Sequence, residues 1–171
     1  KGDEEIRLHV EKEYYDEIID SIVDSVLTGE NKEWIGLAVN SIEKKIKSSH
    51  KILSMSELEA EIENIKNKFV HLKPSPIGFC MPNADTIIQA KCYDHETKIP
   101  LYFENGRPKN CVNCINFLAN IGNKDEMKSS VIAINSIINS SEVPIITKSL
   151  TPLKEKLILL IDEAESCNVK I

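Results

Sequence analysis

The run Pro74-Ser75-Pro76-Ile77-Gly78 divides this chain of 171 residues. Two prolines fix their own φ, remove two backbone donors and push the residues before them out of the helical region, and the glycine adds turn freedom. A helix does not cross such a run. The break sets three expected segments: a helical one over 1–73, a four-cysteine module over 74–120, and a helical hairpin over 121–171 that packs on the rest.

Before the break the apolar residues recur at helical spacing. From Glu4 to Leu27, the residues Leu8, Tyr15, Ile18, Ile19, Ile22, Val23, Val26 and Leu27 make one buried stripe, and Thr28-Gly29 ends it. A second helix is expected from about Lys32 to Ser48. Trp34, Leu37, Ala38, Ile42 and Ile46 form its inner face, and Ser48-Ser49-His50 closes it. Ser54 or Ser56 caps a third, whose apolar face is Leu58, Ile62, Ile65 and Phe69.

After the break the 3.6-residue period disappears until about Asn110. Ile87 to Tyr93 and Ile99 to Phe103 read as short strands or irregular loops, with turn formers such as Asn105-Gly106 between and after them. Helical signal returns over Val112 to Ala119 and again over Lys124 to Ser140, where Met127, Val131, Ile134, Ile137 and Ile138 share a face. Ser140 to Pro144 reads as a connector. The last helix is expected to start at Thr151-Pro152, with Thr151 as cap and Pro152 where its missing N–H is harmless, and to end near Cys167. The expected fold class is mainly α: three N-terminal helices, a central irregular cysteine-rich module with short strands, and a C-terminal antiparallel helix pair.

The composition, 42% hydrophobic and 28% charged, is that of a chain that folds. Its longest apolar run near the C-terminus, Leu157 to Ile161, falls far short of the roughly 20 residues that cross a bilayer, so no membrane role is expected. The opening Lys1-Gly2-Asp3-Glu4-Glu5, without an initiator Met or a signal-like apolar segment, reads as an excised fragment. Five cysteines and no secretory signal point to the reducing cytoplasm.

In that compartment four cysteines read more readily as a metal site than as a disulfide framework. Cys111-Val112-Asn113-Cys114 is a C-x2-C knuckle, whose spacing lets two thiolates converge on one cation; Cys80 and Cys92 are the second pair. Four thiolates can close a tetrahedron around a structural Zn2+, which holds a loop-rich segment together and does no catalysis. The eleven residues between Cys80 and Cys92 form no knuckle, and the same four residues also read as buried packing cysteines. Both readings stand at this point. His71 and His95 are the alternative ligands, and Cys167 reads as a lone thiol.

The net charge is −6, with the acidic residues concentrated in the first 65 positions, so that segment does not read as a phosphate-backbone platform. The cysteine-rich centre is locally basic through Lys73, Lys91, Lys98, Arg107 and Lys109. Catalytic templates are missing: there is no G-x-S-x-G, no H-E-x-x-H, no P-loop and no glycine-rich dinucleotide turn. The N-terminal carboxylates read as a solvated helix face, and Tyr14-Tyr15 as a helix-face aromatic pair. No enzyme activity is expected of the chain itself.

Pro76-Ile77-Gly78-Phe79-Cys80, then Cys92, then Cys111-Val112-Asn113-Cys114-Ile115-Asn116-Phe117 and a helical pair resemble the C-terminal extension of tyrosine site-specific recombinases of the phage-integrase type, a group found in transposons and other mobile elements. There a Pro-x-Gly-x-Cys element precedes a C-x2-C-x-x-Phe element. The likeness covers roughly the last 100 residues. The chain departs from it in the long Cys92 to Cys111 interval and in Ile115, where proline is common. The resemblance implies an accessory domain that helps to hold DNA or neighbouring protomers while a separate catalytic domain cuts and rejoins strands. Lys91, Lys98, Arg107 and Lys109 are the expected phosphate contacts. The competing expectation is a metal-stabilised protein interaction module with no nucleic-acid role, whose amphipathic helices offer an apolar face to a partner.

Overall fold

A computed structural model of the chain describes residues 2–75, 77–101 and 108–167. The N-terminal helices form as their periodicity requires. Helix α1 (Gly2–Thr28) buries Tyr15, Ile18, Ile19, Ile22 and Val23 and ends at Gly29, whose N–H still donates to the Ser25 carbonyl at 2.9 Å and whose positive φ of 71° then turns the chain out of the helix. Its first ten residues run clear of the core. Leu8, expected in the stripe, is exposed.

Helix α2 (Leu37–Ile52) starts later and ends later than its sequence suggests. Trp34 and Ile35 form strand β1 instead of the first turn. The Ser48-Ser49-His50 stop is overridden, because the Ser48 hydroxyl folds back to donate to the Lys44 carbonyl at 2.9 Å, and Leu53 N–H closes the helix on Ser49. Helix α3 (Met55–Asn67) opens with a full capping box: Ser54 Oγ accepts from Glu57 N–H, and Ser54 N–H donates to the Glu57 carboxylate. Tyr15 in α1 donates its hydroxyl to the Ile65 carbonyl in α3 at 3.0 Å, tying the two helices together.

Beyond the proline break lie β2 (Lys73–Pro74), β3 (Phe79–Cys80), a hairpin of β4 (Tyr93–Asp94) with β5 (Ile99–Pro100), the single-turn helix α4 (Pro108–Cys111) and β6 (Phe117–Asn120). Phe103 and the Asn105-Gly106 turn lie outside the described residues. The helix expected over Val112 to Ala119 is wrong. A knuckle turn and a strand occupy those residues, because β6 is drawn between two partners and tertiary pairing outweighs weak helical patterning. The strand order is β1-β6-β3-β2, antiparallel throughout, with Ile35 opposite Ala119, Phe79 opposite Leu118, and Cys80 opposite Phe117.

This small sheet has two buried faces. Trp34 and Leu118 point into a core shared with α1, α2 and the end of α3. Their strand neighbours Ile35, Phe117 and Ala119 point the other way, into a second core built with the C-terminal helices. Period-two alternation along β1 and β6 thus joins two hydrophobic cores across one layer.

Helix α5 (Lys124–Ser140) has the expected bounds, and it packs along α6 (Pro144–Cys167) as a helical hairpin. Ile137 is exposed; Met127 and Ile134 carry the packing. The start of α6 differs from expectation. Pro144, not Pro152, takes the first turn, and Pro152 sits inside the helix. Pro152 cannot donate to the Lys148 carbonyl one turn back, and beside it the Thr151 hydroxyl donates to the Thr147 carbonyl at 2.7 Å. Leu153, Leu157, Leu160, Ile161 and Ala164 bury beyond it and hold the helix to the sheet. Among the described residues no helix is long and apolar enough to cross a membrane.

Gly36 joins β1 to α2 with φ 118°, and a Cβ there would stand 2.7 Å from the Phe117 carbonyl oxygen and 3.0 Å from Leu118 Cα. Both are backbone atoms of the central strand and neither can yield. Gly36→Ala is expected to cost about 2–4 kcal/mol from strain and overpacking together. Urea unfolding of the variant against the parent chain checks this; an unchanged midpoint would remove Gly36 from the account of how the sheet is seated.

Candidate metal centre

The four cysteines singled out in the sequence are held by four different local structures. Cys80 closes β3, where alternation turns Phe79 toward the first core and Cys80 to the face it shares with Phe117. Cys92 follows the turn at Ile87–Gln89, and its carbonyl accepts from Leu101 N–H at 2.7 Å beside the β4–β5 hairpin. Cys111 is the last residue of α4. Its carbonyl then accepts from Cys114 N–H at 3.0 Å, and the Cys114 carbonyl accepts from Phe117 N–H at 3.1 Å, so the knuckle winds straight into β6.

These placements bring the side chains together. Cys92 and Cys111 pack against the second core, and Cys114 is part of it. Burial pushes the Cys80 thiol up to about 12, and negative charge on Cys114, Cys92 and Cys111 acts in the same direction. Burial also raises Cys111 to about 11, reinforced by Cys114 and Cys92, and raises Cys92, reinforced by Cys114. Burial and the neighbouring sulfurs thus favour the protonated form of Cys80, Cys92 and Cys111, and a cation among them would favour the thiolates instead. All five cysteines of the chain are unbridged. Among the described residues, no three His, Cys, Asp or Glu side chains stand in a metal-holding arrangement. The four sulfurs neighbour one another without closing to coordination geometry.

The donor set fits a soft or borderline divalent cation. Four thiolates supply a tetrahedron with no position left for substrate, the pattern of a structural zinc. The alternative ligands are differently placed. His95 is exposed, its ring edge-on to Tyr93 at 5.0 Å. His71 is buried before β2, and desolvation, with Lys73 adding to it, lowers its pKa to about 4. Cys167 lies at the end of α6, where its charge acts on Lys32.

The expected phosphate contacts do not form one cluster. Lys91 is exposed in a cleft opposite α2. Lys98 holds the tip of the β4–β5 hairpin with φ 60°, and Lys109 on α4 turns its ammonium to Ser149 of α6 at 3.5 Å. Arg107 lies outside the described residues. Sequence reasoning overlooked two features of the neighbourhood. Asn116 is buried in the knuckle-to-strand turn; its side-chain amide donates to the Thr86 carbonyl at 3.1 Å and its backbone carbonyl accepts from Met81 N–H at 2.7 Å, pinning the loop after β3 to the knuckle. Lys44 of α2 lies across the cleft from Lys91 and the knuckle, and Lys47 and Lys51 continue its row along the helix. Their i, i+3, i+7 spacing was legible, but nothing in the sequence placed α2 beside the cysteines.

Comparison with family models, with curated proteins and with solved structures gives no match to the chain.

The raised thiols make the metal-free protein sensitive to alkali. In the unfolded chain a thiol loses its proton near 9.0, whereas the folded state holds that of Cys111 to about 11 and that of Cys80 to about 12. Above pH 9 the unfolded state therefore binds fewer protons, and stability falls as pH rises from 9 toward 12. Tyr15, raised to about 12 by burial, acts in the same sense from 10.0 upward. Urea midpoints of the reduced, metal-free chain are expected to drop with alkali, and Cys80→Ser to flatten that drop between 9 and 10, below the tyrosine contribution. An equal slope in both chains would mean that Cys80 is solvated and the site open.

Proposed function

We propose that this chain is a non-catalytic accessory domain of a DNA recombinase of the tyrosine site-specific type, braced by a structural zinc on Cys80, Cys92, Cys111 and Cys114, and that it aids DNA binding or protomer assembly. The observation that supports the zinc assignment is that Cys80, Cys92 and the Cys111/Cys114 knuckle, three separate stretches of chain, lie near enough for their charges to act on one another. The Cys80 to Cys114 stretch contributes short strands, one helical turn and few buried apolar residues, while a metal ion cross-links all four attachment points at once. A closed four-thiolate site contributes stability and leaves no coordination position for chemistry. The recombinase reading rests on the order of the Pro-x-Gly-x-Cys and C-x2-C-x-x-Phe elements, and the fold gives that order a physical sense: the first element seats Gly78 against Leu118 and Ala119, and the second delivers Phe117 opposite Cys80.

A second reading, a zinc-braced protein interaction module without a nucleic-acid role, draws support from the apolar residues left exposed on the C-terminal hairpin, Ile132 at 70%, Ile145 at 71% and Leu159 at 62%.

Elemental analysis of protein purified under reducing conditions is expected to give about one zinc per chain, absent from both Cys80→Ser and Cys111→Ser. Removing the metal with a chelator should cost about 4 kcal/mol or more, roughly 10 °C in Tm for a chain of this size. Metal-free preparations that melt no lower than metal-loaded ones, with both serine variants equally stable, would reduce the cysteines to packing residues. Salt-dependent duplex binding separates the two functional readings.

A further inference from the structure

The outer face of α2 and the cysteine knuckle enclose a shallow cleft of about 460 Å³, lined among others by Lys44, Lys91, Asn113 and Cys114. It runs on along the helix into a second hollow of about 450 Å³, which shares Asn40 and Lys44 and adds Lys47 and Lys51. Four ammonium groups thus border one continuous depression on a chain whose net charge is −6. Glu43 is the one carboxylate along it. It is held by Lys32 at 3.0 Å and Lys47 at 3.8 Å, with its side chain 15% exposed. Lys44, Lys51 and Lys91 make no ion pair among the described residues and are exposed.

Helical geometry turns those lysines into a ridge. Positions 44, 47 and 51 stand at i, i+3 and i+7 on one face of α2, and Asn40 extends the row by a turn. The row from Asn40 to Lys51 is roughly 16 Å long at 1.5 Å per residue. That length spans about four to five phosphates of one strand at 3.4 Å per step. Opposite the Asn40 and Lys44 end of the ridge, Lys91 and Asn113 on the cysteine-bearing loops complete the cleft, while the Lys47 and Lys51 end lies along α2 alone. The cleft is too shallow to enclose a small ligand and open enough for a polyanion to lie along it.

We infer that this surface, with Lys44, Lys47 and Lys51 along α2 and Lys91 across the cleft from Lys44, is the phosphate-backbone contact surface for duplex DNA. This rests on the DNA-binding reading above and moves the contact from the hairpin and α4 lysines to α2. The knuckle forms one wall, so the same metal that braces the joint fixes the width of the cleft. Recognition there is of backbone charge, without base readout, as suits an accessory domain that holds DNA for another domain to cut.

The test uses the zinc-loaded chain, a fluorescently labelled duplex of mixed sequence, and binding measured over a series of salt concentrations. Lys44→Ala/Lys47→Ala/Lys51→Ala keeps a good helix former at every exposed position, and circular dichroism verifies that the fold is retained. It is expected to weaken binding at least about ten-fold and to lower the slope of log K against log salt by roughly 2 to 3, about 0.9 for each phosphate that is no longer neutralised. Lys98→Gln/Lys109→Gln should bind within about two-fold of the parent chain. A parent chain that binds, with the α2 variant binding equally well, overturns the assignment of the surface and leaves the DNA reading intact. A folded, zinc-loaded parent chain that does not bind the duplex overturns both. Binding to phosphatidylserine vesicles but not to the duplex assigns the ridge to a membrane surface and overturns the proposal equally.

Discussion

The four residues of β6 hold the molecule together. Phe117 and Ala119 belong to one hydrophobic core and Leu118 to the other, and the strand lies between β1, which precedes α2, and β3, which follows the proline break. An isolated four-residue strand has no stability of its own. It persists here because each of its faces is covered by helices and each of its edges is paired. The dependence runs both ways. Without β6, Trp34 and Ile35 have no partner strand, Gly36 has no reason to approach another backbone, and the two helical layers share no common surface.

The chain enters β6 directly from the cysteine knuckle, and this gives the thiols their consequence. Backbone bonds from Cys114 to Cys111 and from Phe117 to Cys114 make the turn continuous with the strand, so whatever fixes the knuckle fixes the register of β6. Cys80 sits across from Phe117 on the neighbouring strand, at the same joint. Burial and like charge hold these thiols protonated, which means that they repel when they ionise and cohere only around a cation. The zinc proposed above would cross-link β3, the residue before β4, and the knuckle that joins α4 to β6.

The helices were legible because each carries its own signal: the stripe of α1, the Ser54 to Glu57 capping box of α3, the Met127 to Ile134 face of α5. What failed did so for non-local reasons. Trp34 looks like the start of a helix until β6 pairs with it. Val112 to Ala119 carries helical spacing, yet Phe117 to Asn120 find strand partners more than thirty residues away in sequence. Pro152 reads as a start, but the burial of Leu153, Leu157 and Leu160 in the second core holds the helix through it. The candidate ligands could be chosen from residue type and spacing alone; that they converge could not, since the Cys80 to Cys92 interval carries no local rule. Nor could the basic face of α2 be placed next to them, because the acidic average of the N-terminal segment conceals it.

That average conceals it for a physical reason. Acidic residues dominate the first 65 positions, and many of them lie on the exposed face of α1, including the part that projects from the core. The lysines at 44, 47 and 51 line the hollows along the outer face of α2, with Lys44 beside the knuckle. Net charge acts at long range and is screened within about 8–10 Å at ordinary ionic strength, so a polyanion at the α2 face feels the local ammonium groups rather than the carboxylates of α1 on another side of the molecule. If the α2 face is the DNA contact proposed above, repulsion from the carboxylates of α1 would act against a phosphate backbone that approaches along that helix and would add to the orientation set by the lysines.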